Sequence, residues 1–369
     1  MPVTPGLDAL PQNADLRAFL RGQRIGLLTN PTGVTRGNVA ALDVLRALDL
    51  NVRALFSPEH GPRADREGEI ESGQQNGLPV HSLYGQTRRP TPAMLDGLDA
   101  IVVDLQDVGA RFYTYASTLF YLMEACAPKD IAVIVLDRPN PVGGACEGPM
   151  MEKDLRSFVG AAPLPVTHGM TLGELARWFV ATNNLQIELH IARVEGWQRS
   201  MRWPQTGLAW RRPSPNLPDF EAAAWYSGLC LLEFGDWSVG RGTDAPFRIL
   251  AAPELNATKF VALWENEIEA RAVEVVPAHA KFAGEKCAAV RFMGEAPAMP
   301  IAFGLNVMAT LRALHPQWPR EDFDKAVPLV GSRAVMEALW NGDLAAALAV
   351  ARADGETWLR EREPFLLYQ

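Results

Sequence analysis

Two uninterrupted apolar runs, Ala100–Leu105 (AIVVDL) and Ile131–Leu136 (IAVIVL), limit the fold more than any other feature of the chain. A strand with one wet face alternates apolar and polar residues. A continuous run is covered on both faces, as in a parallel sheet with helices packed on either side. The stretch between them, Tyr115–Ala127, has the length and composition of a crossover helix. The theme recurs around these runs. Arg24–Thr29 reads as a strand, Val39–Leu48 as an amphipathic helix and Val52–Phe56 as a second strand. Thr171 opens another helix with Glu174 placed for a capping box, and Leu185–Val194 reads as one more strand. Strands alternating with helices give an α/β domain built on a mostly parallel sheet.

Near residue 225 the rhythm changes. Trp210–Pro218 (WRRPSPNLP) is Pro-rich and irregular, and beyond it come helical stretches at 257–269, 302–314 and 333–348 with short strand-like pieces. A chain of 369 residues suits two domains with separate cores, here an α/β domain over 1–225 and a smaller α+β domain over 226–369. Lys plus Arg total 35 against 43 for Asp plus Glu, a net charge of -8, which argues against a nucleic-acid binder needing a basic face. No apolar run approaches the roughly 20 residues of a membrane span. Cys126, Cys146, Cys230 and Cys287 show no C-x-x-C spacing and read as reduced structural thiols.

The polar residues cluster where predicted strands end. The first strand runs into Asn30-Pro31-Thr32-Gly33, and the second into Ser57-Pro58-Glu59-His60-Gly61. AIVVDL runs into Gln106-Asp107-Val108-Gly109-Ala110-Arg111, and IAVIVL into Asp137-Arg138-Pro139-Asn140-Pro141. In an open parallel sheet, ligands bind outside the carboxyl ends of the strands. Four loops rich in carboxylates, amides and arginines at that edge therefore predict one shared pocket. Turn formation alone accounts for any single one of them, because Pro, Gly, Asn and Asp are what turns need.

These loops also carry a resemblance that spans nearly the whole chain. The stretches GLLTNPTGVTRG, ALFSPEHGPRA, LPVHSLYG, DLQDVGARFYTYAST, VLDRPNPVGG, EGPMM, VTHGMTLGELA, RRPSPNLP, VGRGTDAPF, KFAGEKC and the terminal LLY occur in the order found in a bacterial family. The chain resembles the exo-β-N-acetylmuramidases, the NamZ-like glycoside hydrolases. The resemblance implies a Rossmann-like N-terminal domain, a smaller C-terminal domain and an active-site cleft between them. It implies release of N-acetylmuramic acid from the non-reducing end of peptidoglycan fragments, in cell-wall recycling. The motifs of cofactor and metal enzymes are missing from the sequence, so neither a cofactor nor a metal is expected. The resemblance also implies that the Glu of SPEHG, here Glu59, is the catalytic carboxyl group.

Glycoside hydrolysis needs a carboxyl group that gives its proton to the leaving oxygen. A Glu emerging from a buried strand into a cleft is partly desolvated, which favours the protonated form. The same position equally serves a Glu that caps a helix or pairs with Arg63. His60 is placed to tune Glu59 or to bind sugar hydroxyls. Asp107 is the candidate second catalytic group, with Asp104 and Asp137 reading as structural partners. Participation by the substrate's own acetamido group is the alternative. The lactyl carboxylate of muramic acid calls for a guanidinium fork, and Arg63, Arg111, Arg138 and Arg241 all sit in matching stretches. Tyr84, Tyr113 and Tyr115 are candidates for stacking on the sugar or donating hydroxyls to it, and Asn30, Asn140 and His168 for binding its hydroxyls. Each has a structural alternative in a turn, a cap or the core.

Other classes fit less well. G-x-G-x-x-G, the P-loop, G-x-S-x-G and H-E-x-x-H are absent, and the six histidines are scattered. A non-catalytic muropeptide-binding protein is the rival reading. It would keep an arginine in the pocket but have no use for a protonated Glu. The first residues lack a basic segment followed by an apolar core, so the expected location is cytoplasmic and the expected substrate an imported disaccharide or short muropeptide.

Overall fold

The computed structural model describes residues 2–264 and 268–369. Its strands are β1 (Ile25–Thr29), β2 (Val52–Ser57), β3 (Gly73–Gln75), β4 (Leu78–Ser82), β5 (Ala100–Asp104), β6 (Ala132–Leu136), β7 (Glu147–Met150), β8 (Pro165–Thr167), β9 (Leu189–Ala192), β10 (Ile249–Ala252), β11 (Ala270–Val275) and β12 (Cys287–Phe292). Seven of them form one sheet in the order β3-β4-β2-β1-β5-β6-β9. Neighbours run parallel throughout, except that β3 turns back antiparallel on β4. Every residue of β5 and β6 is buried, which is the origin of the two continuous apolar runs. Alternate side chains go to opposite faces. Leu28, Phe56, Ile101, Val103, Val133 and Val135 point to one side, where Tyr115–Cys126 packs. Leu27, Leu55, Val102, Ile134 and Leu136 point to the other, against Leu42 and Leu45.

The chain leaves β1 for β2 on one side of the sheet and later places β5 on the other side of β1. The loops after β1 and β5 therefore diverge at the carboxyl edge, where such sheets open a crevice. The helix opened by Thr171 spans Leu172–Asn183 and has the predicted capping box. The strand expected over 185–194 contracts to β9.

After residue 225 the strands β10, β12 and β11 form an antiparallel sheet in that order. The helix expected over 257–269 is Ala257–Trp264, and its residues 265–267 lie outside the described residues. Pro300–Leu314 forms as expected, within two residues. The stretch 333–348 is two helices, Arg333–Trp340 and Leu344–Arg362. Gly342 takes a left-handed φ of +79°, and the Asp343 side chain accepts from Ala346 N at 2.9 Å to start the second.

Each half has a smaller apolar cluster of its own, around Leu27 and Ile134 in the first and around Ile249 and Ala289 in the second, but the largest is shared between them. One apolar cluster runs from Leu28, Phe56 and Val103 through Trp225 and Phe292 to Met308 and Trp358. The last long helix packs back on β7, where Asp354 Oδ2 accepts from Met150 N at 2.8 Å. Glu147 of β7 reaches the other way and accepts from Ile301 N (3.0 Å) and Ala302 N (3.1 Å) in the first turn of Pro300–Leu314. Burial pushes its carboxyl up to about 7, against the opposing effect of those two amide bonds. Among the described residues no helix is long and apolar enough to cross a membrane.

Candidate active site

β2 ends in a sharp reversal. His60 and Gly61 both adopt left-handed backbone conformations, with φ of +69° and +75°. Such a φ is uncommon for His and easy for Gly, so the EHG sequence is a turn that lifts Glu59 off the end of its strand. His60 is held by Nδ1, 2.9 Å from the carbonyl of Arg66. A carbonyl only accepts, so Nδ1 carries the hydrogen.

Glu59 opens into a cavity of about 330 Å³ walled by both halves of the chain. His60, Tyr84, Tyr113 and Thr114 come from the first half. Ser214, Tyr226, Glu233, Arg241, Phe247 and Leu329 come from around and beyond the Pro-rich stretch. Thr114 sits at the N-cap of Tyr115–Cys126 but makes no side-chain cap bond. Its hydroxyl donates instead to Glu59 Oε2 at 2.5 Å. Tyr84 stands beside the same carboxylate, and burial together with that charge raises its phenol well above the ordinary value. The Arg88 guanidinium lies 4.0 Å over the Tyr84 ring and fixes its plane.

Three carboxyl groups line this cavity: Glu59, Glu67 and Glu233. Two of them pair with Arg241, Glu67 at 3.3 Å through one terminal nitrogen and Glu233 in closer contact through the other. Glu59 has no ion-pair partner among the described residues and is held by the hydroxyls of Thr114 and Tyr84. Arg241 lies between two left-handed glycines, Gly240 and Gly242, and a Cβ on Gly242 would come within 2.3 Å of the His279 carbonyl oxygen. Close backbone packing thus demands glycine there and aims the guanidinium at the cavity.

The other expected site residues lie elsewhere. Arg111 is fully buried, and its terminal nitrogens donate to the carbonyls of Pro149, Leu164, Leu329 and Val330 at 2.5–3.1 Å. It ties the loops of the two halves together and offers nothing to the cavity. Burial without a carboxylate partner lowers it to about 9. Arg138 makes a buried pair with Asp104 at 2.5 Å. Arg63 is an exposed residue paired with Asp65 at 3.1 Å.

Asn30 spends its side chain on Tyr115 (2.6 Å) and Thr32 (2.6 Å), and Asn140 on Met170 (3.1 Å) and Val142 (3.1 Å). Asp107 is buried and does not line the cavity. Its Oδ2 accepts from Gly109 N at 2.7 Å and lies 3.4 Å from Nε2 of His168. His168 accepts from Met170 N through Nδ1 at 3.2 Å, which leaves its hydrogen on Nε2. Asp137 binds Arg138 N and Gly173 N through one oxygen and the Thr171 and Tyr368 hydroxyls through the other. Burial pushes it up to about 6.

Of the expected residues, then, the structure brings Glu59, His60, Tyr84, Tyr113 and Arg241 together and leaves the rest in the scaffold. Sequence reasoning missed Thr114, Glu67 and Glu233. Thr114 lay inside DLQDVGARFYTYAST, where the flanking tyrosines drew attention from it. Glu233, in an apolar helical stretch, gave no signal. A different hollow of about 450 Å³, bordered by Gly143, Gly144, Arg199 and Pro300, is larger but has no carboxyl group in its wall.

Residues 25–221 match the family model for the N-terminal part of exo-β-N-acetylmuramidase NamZ, and 224–368 match the model for its C-terminal part. The chain is 39% identical over 334 residues to the peptidoglycan β-N-acetylmuramidase NamZ of Bacillus subtilis, covering 87% of this chain and 79% of that protein. Two crystal structures of DUF1343 family proteins from Bacteroides fragilis superpose over 100% of this chain and 99% of each of theirs. Their TM-scores are 0.90 and 0.80, at 32% and 27% identity. The chain belongs to the exo-β-N-acetylmuramidase NamZ family of glycoside hydrolases.

Proposed function

We propose that this glycoside hydrolase removes N-acetylmuramic acid from the non-reducing end of peptidoglycan fragments, with Glu59 giving the proton to the leaving oxygen. The observation that carries the assignment is the inequality among the three cavity carboxyls. Glu67 and Glu233 are matched to a guanidinium, whereas Glu59 is oriented by hydroxyls, that of Thr114 at 2.5 Å and that of Tyr84. A proton donor has to be free of a fixed cation and held in one orientation. Arg241 is the cation for the lactyl carboxylate, being the guanidinium among the four arginine candidates that reaches the cavity. His60 and Tyr113 serve the sugar ring and its hydroxyls, and Asp107 keeps His168 and the 107–111 loop in place.

The recycling role and a cytoplasmic location belong to the same reading. The location is supported by four cysteines that are all free thiols, as a reducing compartment keeps them. The test is release of nitrophenol from a β-linked 4-nitrophenyl N-acetylmuramide, with the N-acetylglucosaminide as control. The expected result is turnover of the muramide by wild type and its loss in Glu59→Gln. Turnover unaffected by the substitution moves the chemistry to another carboxyl. Tight binding of the sugar with no turnover by wild type makes the chain a muropeptide-binding protein.

A further inference from the structure

The cavity is read as taking an acidic sugar, yet its own wall is acidic. Three carboxyl groups face one guanidinium, so an incoming carboxylate meets net negative charge, and both terminal nitrogens of its natural receptor are engaged. One resident carboxylate has to give way. The two candidates differ. Glu233 is held in the closer contact and its side chain is 19% exposed. Glu67 makes the longer contact, 3.3 Å, and is 39% exposed. Releasing Glu233 would strand a charge in a desolvated position, whereas Glu67 can turn outward into water.

The backbone permits that turn. Glu67 lies between β2 and β3 in a stretch without regular structure, where Asp65 to Glu69 are all exposed. Gly61 and Gly68 are left-handed at φ of +75° and +79°, and nothing lies within 4 Å of a Cβ placed on Gly68. The stretch is pinned just beyond by Ile70 N, which donates to Tyr84 O at 2.7 Å. Among the described residues, the other side-chain hold on Glu67 at hydrogen-bonding distance is the amide of Asn216.

We propose that Glu67 is a resident stand-in for the substrate's carboxylate: it occupies one arm of the Arg241 fork and yields it to the carboxylate of an incoming acidic sugar. The proposal rests on reading this cavity as the N-acetylmuramic acid site. Its consequence is an affinity set by exchange. An acidic sugar replaces the charge it displaces, so the balance around Arg241 is conserved. A neutral sugar such as N-acetylglucosamine has no charge to offer in return, and Glu67 stays where it is and competes for the space. Arg241 therefore supplies the discrimination, and the resident competitor lowers the affinity for the acidic sugar that displaces it.

The test is calorimetric binding of free N-acetylmuramic acid and of N-acetylglucosamine to the intact chain, for wild type, Glu67→Gln, Asn216→Ala and Arg241→Gln. Glu67→Gln keeps the shape and removes the competing charge. It is expected to tighten N-acetylmuramic acid by about tenfold and to shift N-acetylglucosamine by less than about twofold. Asn216→Ala, which frees Glu67, is expected to move the acidic sugar the same way by a smaller factor. Arg241→Gln is expected to abolish the difference between the two sugars. Weaker binding of N-acetylmuramic acid by Glu67→Gln, or an equal shift for both sugars, would overturn the proposal and make Glu67 a brace for its loop. These outcomes are separate from turnover. Binding shifts as expected with no hydrolysis would sink the hydrolytic reading and leave the exchange standing.

Discussion

The carboxyl edge of the sheet contains two polar regions of opposite character. At the crevice beside β1, β5 and β6, Asn30, Asp104, Arg138, Asn140 and Asp137 are nearly all buried and bonded to one another or to nearby backbone. At the end of β2, Glu59 is only partly buried, faces a cavity and has no cation of its own. Both regions have the residue types of a binding site. The difference is whether their hydrogen-bonding capacity is already spent. The first region shapes the site from below, and the second is available for chemistry.

That contrast is open to direct attack. Glu59→Gln should lower turnover by about 10³-fold, roughly 4 kcal/mol in the transition state, with an unchanged unfolding midpoint. A large fall in stability instead would place Glu59 with the scaffold. Arg138→Met should do the reverse. It strands the Asp104 carboxylate in the core and should cost about 3–5 kcal/mol in urea unfolding, while the folded enzyme keeps its KM within about twofold. A selective loss of substrate affinity at unchanged stability would make the crevice a second ligand site.

Glu147 gives a test of intermediate size. Its folded carboxyl titrates at about 7, above the unfolded value of 4.5. Between those values the folded chain holds the extra proton, so stability is greatest below about 4.5 and declines as the pH rises through 7. The decline should be no more than about 3 kcal/mol, visible as a lower melting temperature at pH 8 than at pH 5. In Glu147→Gln this part of the pH dependence should vanish, and a profile identical to wild type would rule the carboxyl out as its source. The smallest effect is expected at Thr114, which positions Glu59. Thr114→Val should lower kcat by about tenfold with KM unchanged, and Thr114→Ser should restore most of it. A change in KM alone, or no rescue by serine, would mean that Thr114 contacts the sugar or only packs.

Much of this fold was legible because its signals are local. The buried strands announce themselves as apolar runs, and the capping box at Thr171 and Glu174 is written within four residues. The turn at His60-Gly61 is likewise visible from its neighbours. What the sequence hid are pairings over long separations. Arg111 looks like a substrate-binding arginine until its partners Leu329 and Val330 arrive from 218 and 219 residues away. Glu67 and Glu233 become site residues only because Arg241 is folded between them. A polar residue in a strand-end loop reads the same from the sequence whether its partner is a ligand or a distant carbonyl.

Family models divide this chain between residues 221 and 224, yet the apolar cluster from Leu28 to Trp358 crosses that division. Such a molecule should melt as one cooperative unit, giving a single calorimetric transition with equal van't Hoff and calorimetric enthalpies. A protease cut in the intervening stretch should leave the two fragments associated until denaturant is added. It also means that the cavity cannot gape by swinging one half away from the other, because the hinge would have to tear that core. Sugars must enter and leave past the surface loops, and the rate of product release is theirs to set.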